Sequence, residues 1–295
     1  MKPLWIAVLL LLSACNDSSS ELEHRMANQP PIIELKLLES IKDNLEKSPV
    51  TFSDSCMSEL DVCWYKVERS ANDANLPTVK VSNADLSLTL ENAVNIAVVA
   101  DKRTTDDIEN LNVILRGLPK GSTHEQYRHL IFNLIDQIKA AGWSHYFMPD
   151  DPRISGSQMD RIASADGVLG RYVSSHPWLD PDYQLDLKRW LQVGTFYDWY
   201  FYNNGVYLHL KAWKRNSEDA PTEKATYLIS LEFLSEREFW LSGFTEEQDR
   251  LHWKQLLPAR LKGYKEARLA LEEKARAAGI EIDETYQDPP IKALE

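Results

Sequence analysis

An Asn-Gly pair at 204–205, set between two aromatic runs of alternating polarity, constrains the fold of this chain more than any other feature. Asn-Gly is typical of a two-residue β-hairpin turn, because both residues tolerate the positive φ that such a turn requires. A two-residue turn also sets the register of the two strands, and here it places Tyr202 opposite Tyr207. One face of the predicted hairpin is apolar, with Trp199 and Phe201. The other face is mixed and carries Asp198, Tyr200, Tyr202, Tyr207 and His209.

A third alternating run at 225–233 follows the hairpin across a polar loop at 214–224. Its apolar side chains recur at every second position, as a half-buried strand requires. The three runs therefore predict an antiparallel meander at the core of the second half of the chain. Because the hairpin register also places Asp198 across from Lys211, we expect a cross-strand salt bridge between them.

Hydrophobic spacing in the rest of the chain predicts both strands and helices. Predicted strands lie at 62–67, 86–90, 93–100 and 143–147. Predicted helices lie at 32–45, from Thr104 or Thr105 towards 115, from 122 to Gly142, at 181–191, and from 245 to 278 with a break or kink near Pro258. This mixture indicates an α+β fold. We expect a mixed or antiparallel sheet with an aromatic-rich meander, packed by helices, and a C-terminal helical segment.

Two of these helices begin at a match to the capping box, in which Ser or Thr is followed three residues later by Glu or Gln. The matches are Ser122 with Glu125, and Thr245 with Gln248. Glycine at 142 and at 279 supplies a stop signal, because glycine readily adopts the positive φ common at helix C-termini.

The first fifteen residues have the organisation of a cleaved export signal. A positive start, Met1-Lys2, precedes an apolar run at 4–12 and the tetrapeptide Leu12-Ser13-Ala14-Cys15. The run is shorter than the roughly 20 residues of a membrane-spanning helix, and an ordinary secretory signal does not need this cysteine. The stretch resembles a bacterial lipoprotein signal peptide with a lipobox. The resemblance implies a lipidated Cys15 and a position in the cell envelope facing the periplasm, with Asn16 favouring the outer membrane over the inner.

The predicted domain organisation follows from these elements and from composition. It comprises a signal peptide at 1–14, a tether at 15–31, an α+β globular region at 32–244 that a break near 150–180 could divide into two halves, C-terminal helices at 245–279, and a loose tail at 280–295. The tether contains serine and proline runs, which favour flexible and extended chain.

The net charge of −12 limits the partners of this chain. An acidic chain does not suit nucleic acid, because phosphate binding requires a basic surface. It also repels anionic lipid head groups, so we expect the membrane contact to come from the lipid on Cys15 alone.

Two cysteines remain once Cys15 is assigned to the lipid. An even number in an oxidising compartment favours a disulfide, so we predict a bond between Cys56 and Cys63 that closes a short loop. Two reduced, buried thiols are the alternative. A metal site is disfavoured, because no histidine lies at 25–123.

No catalytic or metal-binding motif stands out. His124 and His129 lie five residues apart, whereas the two histidines of a helical zinc-protease motif lie four apart on one face. The stretch Ser155-Gly156-Ser157 lacks the glycine spacing of a nucleophile elbow. We therefore predict no catalytic residue, no metal, no cofactor and a protein that is not an enzyme.

The lipobox, the acidic mature chain and the aromatic runs at 196–202 and 227–233 are similar to those of lipoprotein immunity proteins against type VI secretion effectors. This resemblance implies a protein that binds and neutralises a toxic effector, such as a lipase, in the periplasm. Tyrosine and tryptophan are frequent anchors of protein interfaces. We predict that the partner contacts Asp198, Tyr200, Tyr202, Tyr207 and His209. Sheet core is the alternative role for these aromatic residues.

Two other functions stay open. One is a structural or assembly lipoprotein of the envelope. The other is an enzyme whose site is assembled from distant residues, which a pocket that gathers His176, Asp180 and Asp182 would favour.

Overall fold

The fold is α+β, as the sequence predicts. The computed structural model describes residues 29–162 and 168–295. The signal peptide, the lipobox with Cys15 and nearly all of the tether lie outside the described residues, so these remain predictions. No helix in the described ranges has both the length and the hydropathy needed to cross a bilayer.

Strands and helices are interspersed along the described chain. The strands are β1 Ile32–Lys36, β2 Ser53–Met57, β3 Val62–Glu68, β4 Thr78–Asn83, β5 Leu86–Leu90, β6 Ala93–Asp101, β7 Asn110–Leu115, β8 Ser144–His145, β9 Phe196–Asn203, β10 Val206–Asn216 and β11 Ala225–Ser235. The α-helices are α1 Ile41–Glu46, α2 His124–Ala140, α3 Leu187–Gln192, α4 Glu236–Leu241, α5 Glu247–Leu251 and α6 Trp253–Ala277. Short 3-10 turns lie at Gly156–Arg161, Pro177–Leu179 and Lys292–Leu294.

Two sheets organise the described residues. The larger has eight strands, all antiparallel to their neighbours, in the order β2-β3-β6-β7-β11-β10-β9-β8. The smaller has the order β1-β4-β5. It is mixed, because β1 runs parallel to β4 while β5 runs antiparallel to it.

The predicted hairpin and meander are confirmed. β9 and β10 pair with Tyr202 opposite Tyr207, and β11 pairs along the other side of β10. Asn204 and Gly205 have φ values of 41° and 82°. These values lie in the left-handed region that a two-residue turn of this kind needs and that most residues avoid.

The inner face of the large sheet forms the main hydrophobic core together with α2 and the small sheet. The fully buried side chains include Trp199, Phe201 and Phe233 from the large sheet, Tyr127, Ile131 and Ile135 from α2, and Ile33, Leu35 and Val79 from the small sheet. Complete burial of one such side chain stabilises the fold by about 1.5–3 kcal/mol. On the outer face, a second cluster forms where α4 and α6 pack beside the turn end of the hairpin, and it includes Tyr207, Trp240, Trp253 and Leu257.

The predicted helix at 32–45 is wrong over much of its length. Residues Ile32–Lys36 form β1, and α1 begins only at Ile41. Ile33 and Leu35 are buried while the residues between and beside them are exposed, which is the alternation of a strand. A short apolar segment fits both periods, and parallel pairing with β4 decides between them.

The predicted helix from Thr104 or Thr105 towards 115 is also wrong. Residues Asn110–Leu115 form β7, which lies between β6 and β11 in the middle of the large sheet. Leu111 and Val113 are fully buried on its inner face. Pairing on both sides and burial outweigh the local helix-start signal of the threonines.

The N-terminal end of α2 lies one residue later than predicted, and its C-terminal end is as predicted. The Thr123 hydroxyl accepts a hydrogen bond from the backbone N–H of Gln126, whose side chain accepts one from the backbone N–H of Thr123. The capping box is therefore present, but it uses Thr123 instead of Ser122. Gly142 follows the helix with a φ of 84°, as expected for a C-terminal stop.

The C-terminal helical segment is present, but its break lies elsewhere. Helix α5 begins at Glu247 without a side-chain cap, so the predicted capping box at Thr245 is wrong. The chain leaves helical geometry at His252, and α6 then continues through Pro258, where the break or kink was predicted. Proline removes one helical hydrogen bond, and the buried side chain of Leu257 next to it offsets this loss through packing.

Two elements in the middle of the chain are shorter than predicted. The strand at 143–147 is limited to Ser144–His145, and the helix at 181–191 is limited to Leu187–Gln192. The apolar residues that suggested the longer strand are buried all the same, namely Trp143, Tyr146 and Phe147. Their spacing reflects burial in an irregular segment.

The tail at 280–295, predicted to be loose, packs against the rest of the fold. The Arg268 guanidinium donates to the Asp288 carboxylate at 2.6 Å. The Glu236 carboxylate accepts hydrogen bonds from the backbone N–H groups of Lys292 and Ala293. Arg268 and Glu236 are both buried, and a buried charge without a partner is costly. The tail supplies hydrogen-bond partners for these two side chains.

The predicted disulfide is confirmed. Cys56 and Cys63 are bonded directly across the β2–β3 pair, at one edge of the large sheet. Cys56 is exposed and Cys63 is buried, so the bond ties the edge strand β2 to the core-facing side of β3.

Replacing both cysteines with serine should lower the free energy of unfolding by about 2 kcal/mol, because the bond restricts the unfolded chain over a short loop. Urea denaturation of the oxidised parent and of the variant measures this loss. The parent with a reducing agent should unfold at the same urea concentration as the variant. Equal midpoints for the oxidised parent and the variant would contradict the prediction.

Candidate functional site

The outer face of the meander exposes a row of large apolar side chains. Phe196 on β9, Trp213 on β10 and Leu228 on β11 lie directly opposite one another across the strands. Their exposed fractions are 64%, 49% and 45%, and the rings of Phe196 and Trp213 stack with centroids 6.5 Å apart. We call these three residues the apolar row. Contiguous exposed apolar surface marks binding sites, whereas single exposed apolar residues do not.

A network of charged side chains lies beside the apolar row on the same face. His209 Nε2 lies 2.8 Å from Asp198 Oδ1, and His209 Nδ1 lies 3.9 Å from Glu232 Oε2. Lys211 Nζ lies 3.4 Å from that same Glu232 oxygen. Asp198 thus pairs with His209 and Lys211 pairs with Glu232, in place of the salt bridge expected between Asp198 and Lys211. We call these four residues the His209 network.

The three tyrosines predicted to bind a partner are covered to different degrees. Tyr207 is 3% exposed, and its ring stacks on that of Phe239 in α4 with centroids 3.8 Å apart. Tyr200 and Tyr202 are half-buried, and the Tyr200 ring stacks on His209 at 4.3 Å. Tyr207 is core, which corrects the prediction that a partner contacts it. The other two tyrosines keep part of their surface accessible.

Burial disfavours the protonated form of the His209 imidazole. It lowers the pKa of His209 from the ordinary value of 6.5, and the hydrogen bond to Asp198 offsets this only in part. Burial likewise lowers the pKa of His124 and of His145. Below about pH 6.5 the unfolded chain therefore binds protons that the folded chain does not. These histidines contribute stability above that pH, and their contribution is lost as the pH falls.

The variant His209→Gln should gain stability relative to the parent as the pH falls from about 7.5 to about 5.5. The unfolded parent gains a proton at this position and the variant cannot, so the difference changes by at most about 1.4 kcal/mol per pH unit. Urea unfolding of both proteins at the two pH values measures it. His252→Gln, at an exposed position on the surface, is the matched control for the substitution itself. A parent–variant difference that does not change with pH would contradict the prediction.

A cleft of about 1030 Å³ adjoins the apolar row and shares Phe196 with it. Tyr172, which is 59% exposed, also lines the cleft. Arg189 of α3 lies in its wall and forms ion pairs with Asp160 and Asp186. The cleft is therefore both aromatic and polar, and its volume is large enough to take side chains of a partner protein.

A small cluster of potential metal ligands lies away from the apolar row. Among the described residues, one ligand atom each of His145, Asp180 and Asp182 come within 4.8 Å of one another. These groups already bond to the protein. Asp180 accepts hydrogen bonds from the backbone N–H groups of Gly156 and Asp182, and Lys139 pairs with Asp182. We interpret the cluster as structural.

The remaining histidines singled out from the sequence lie apart from one another. His124 is buried with a ring nitrogen 2.8 Å from the Tyr227 hydroxyl, whereas His129 is on the surface. His176 lines the cleft, but the two aspartates of the cluster above do not. This cleft therefore does not gather the three residues that were considered for an enzyme with a dispersed site.

Comparison of the chain with protein-family models, with curated proteins and with solved structures found no match. The site therefore has to be interpreted from its own residues. Sequence reasoning placed Asp198, Tyr200, Tyr202 and His209 correctly on one face of the hairpin, but it missed the apolar row. The signal was present, because the same alternation assigns Phe196 and Trp213 to that face.

Proposed function

We propose that this chain is a membrane-anchored periplasmic lipoprotein that binds and neutralises a protein partner. We take the partner to be a toxic effector of a type VI secretion system, such as a lipase. The lipobox at Cys15 supports the anchor, and the exposed apolar row beside the cleft supports the binding of a protein. Neutralisation acts by occupancy, so the chain needs no catalytic residue.

The observation that carries this proposal is the apolar row. Phe196 and Trp213 are large aromatic side chains that the fold leaves in water, although burying them would be favourable. A partner that covers them gains this energy, and aromatic residues are typical anchors of protein interfaces. The His209 network beside the row supplies the polar rim that surrounds such anchors.

Charge indicates the kind of partner surface. With a net charge of −12, the chain attracts a basic surface over distances of about 10 Å at moderate salt. We expect the association rate with the effector to fall as salt is added, while the dissociation rate changes little.

Photo-cross-linking in cells tests the location of the interface. A photoreactive amino acid at position 213 should cross-link to the effector when cells are exposed to it. The matched control is position 251, because Leu251 on α5 is an apolar residue with 68% exposure outside the apolar row. Equal cross-linking at both positions, or none at position 213, would contradict the assignment of the apolar row to the interface with the effector.

Stoichiometry tests whether neutralisation is by binding. Titration of the purified effector should abolish its activity at roughly one chain per effector molecule, since an occupied partner is not released by turnover. Inactivation of many effector molecules by one chain would instead indicate an enzyme.

A further inference from the structure

The layer that covers the inner face of the large sheet contains a groove. This layer consists of the small sheet and α2, which both pack into the main hydrophobic core. A cavity of about 610 Å³ lies between β5 and α2, and residues of β7 and β11 in the large sheet also line it. We call this cavity the β5 groove. It shares no lining residue with the cleft, the apolar row or the His209 network.

One wall of the β5 groove is a free strand edge. Among the described strands, β5 pairs only with β4. The backbone C=O of Ser82 in β4 accepts a hydrogen bond from the chain at the end of β1, so Ser82 faces β1. Backbone groups of successive residues point to opposite edges of a strand, so Val81 faces β5 and pairs there with Leu88. The N–H and C=O groups of Ser87 and Thr89 therefore point away from β4.

The outward backbone groups of β5 are open to a partner. Ser87 and Thr89 are both exposed, and these groups form no hydrogen bond with another described residue. The opposite edge of the small sheet is covered, because the Asn44 side chain of α1 accepts a hydrogen bond from the backbone N–H of Lys36 at 2.8 Å. Proteins usually protect an edge with charges, prolines, bulges or a cover. β5 is uncharged, contains no proline and keeps a regular register.

The groove also offers apolar surface that a bound side chain can reach. Leu115 of β7 and two residues at the α2 side, Leu130 and Ala141, are half-buried, so part of each remains accessible. Exposed, uncharged polar side chains of α2 lie beside them, namely Asn133 and Gln137. Side chains alternate between the two faces of a strand, so a strand beside β5 would direct every second side chain to this apolar surface.

Charge indicates the chemistry of the occupant. Of the described residues that line the groove, only Glu91 and Arg116 are charged. They have opposite signs and lie together at one end, where Glu91 precedes Asn92 and Arg116 Nη2 donates to Asn92 Oδ1 at 2.6 Å. The groove therefore complements an uncharged segment, although the chain as a whole is acidic.

The size of the groove limits the occupant to one strand. A strand lies about 4.8 Å from its neighbour, and five residues of strand extend over about 17 Å. A cavity of about 610 Å³ along β5 therefore has room for a single extended segment. A second folded copy would bring further strands beside the first, into the space that α2 occupies.

From these observations we propose that the β5 groove binds an extended, uncharged segment of a partner protein as a fourth strand of the small sheet. The backbone of the segment would hydrogen-bond to Ser87 and Thr89, which is the mode of recognition known as strand addition. Its alternate apolar side chains would contact Leu115, Leu130 and Ala141. This surface is separate from the apolar row and does not depend on the function proposed above.

Fluorescence anisotropy with the full chain and a labelled peptide tests the site. The probe is an N-acetylated, C-amidated heptapeptide of alternating threonine and valine. The control peptide has the same sequence with every backbone nitrogen methylated, so that it cannot donate to a strand edge. We expect a dissociation constant of about 1 mM or below for the probe, and binding at least about tenfold weaker for the control. No binding of the probe, or equal binding of the two peptides, would overturn the proposal.

A substitution in β5 tests the role of the strand edge. Thr89→Pro removes the N–H that points into the groove but keeps the bonds to β4, because proline is tolerated where an edge faces solvent. It should weaken binding of the probe at least about tenfold. Thr89→Ala keeps this N–H and should weaken binding by at most about twofold. Circular dichroism checks that both variants are folded.

A substitution in α2 tests the groove from its other wall and leaves β5 unchanged. Ala140→Trp fills space in the groove and should weaken binding of the probe at least about fivefold. Asp136→Trp, at an exposed position of the same helix outside the groove, is the matched control. If Thr89→Pro and Ala140→Trp bind the probe as the parent does, the β5 groove is not its site. A parent that is dimeric in solution and becomes monomeric with Thr89→Pro would show that a second copy occupies the groove, which would also overturn the proposal.

Discussion

The variant Glu272→Ala should lose about 3–5 kcal/mol of stability, because it removes one partner of a buried ion pair. Glu272 is completely buried in α6. Its carboxylate accepts hydrogen bonds from Arg153 Nε at 2.8 Å and Arg153 Nη2 at 3.0 Å. Removing the carboxylate leaves the Arg153 guanidinium, which is only 17% exposed, without its buried partner.

The pKa of Glu272 indicates that the pair is favourable in the folded state. Burial alone would raise this pKa, but the hydrogen bonds from Arg153 outweigh it and hold the pKa below the ordinary value of 4.5. The contribution of the ionised carboxylate to stability is therefore present above about pH 4.5 and is lost as the pH falls through the folded-state pKa.

Urea denaturation of the parent and of Glu272→Ala at neutral pH measures the loss. Glu273→Ala is the matched control, since Glu273 is the next residue of α6 and is exposed. The control should stay within about 0.5 kcal/mol of the parent. If the Glu272 and Glu273 variants unfold alike, the ion pair does not hold α6 to the loop that carries Arg153.

The second large effect concerns binding. The double variant Phe196→Ala with Trp213→Ala should weaken binding of the effector by on the order of a hundredfold, about 3 kcal/mol, because it removes two aromatic anchors. Its stability should fall by less than about 1 kcal/mol, since only one exposed cross-strand pair is lost. Calorimetry with the captured effector measures affinity, and circular dichroism measures stability.

The matched comparison is Tyr200→Ala with Tyr207→Ala on the same hairpin. Tyr207 is packed under α4, so this pair should cost several kcal/mol of stability through the cavity that it leaves. A stable Phe196 and Trp213 double variant that binds and protects like the parent would remove the apolar row from the interface. A loss of stability in the Tyr200 and Tyr207 double variant, with a loss of affinity in the Phe196 and Trp213 double variant, would show which pair belongs to the core and which to the interface.

The fold prediction is correct where a local sequence signal is compatible with only one structure. Asn204-Gly205 permits a two-residue turn, and period-two alternation on both sides then sets the register of β9 and β10. The turn signal is contained within a few neighbouring residues, so no distant contact could override it. The Cys56–Cys63 bond was predicted differently, from the even number of cysteines left after Cys15 and from an oxidising compartment, and the structure contains this bond.

The prediction failed where two secondary structures fit the same residues. The apolar residues of β1 are compatible with a short helix, and β7 follows threonines that favour a helix start. In both cases distant strands supply the hydrogen bonds that decide for the strand, β4 for β1, and β6 and β11 for β7. Short segments have too little intrinsic preference to resist such pairing.

Local sequence signals are sufficient for the α+β class, the hairpin register and the division of its side chains between two faces, because these depend on turn geometry and on the alternation of a strand. Which part of the mixed face is open depends instead on how distant segments pack against it. Helices α4 and α6 return to cover Tyr207 at the turn end and leave Phe196 and Trp213 exposed at the other end. The period of a strand specifies a face, but burial of that face depends on segments far along the chain, whose placement results from packing over the whole fold.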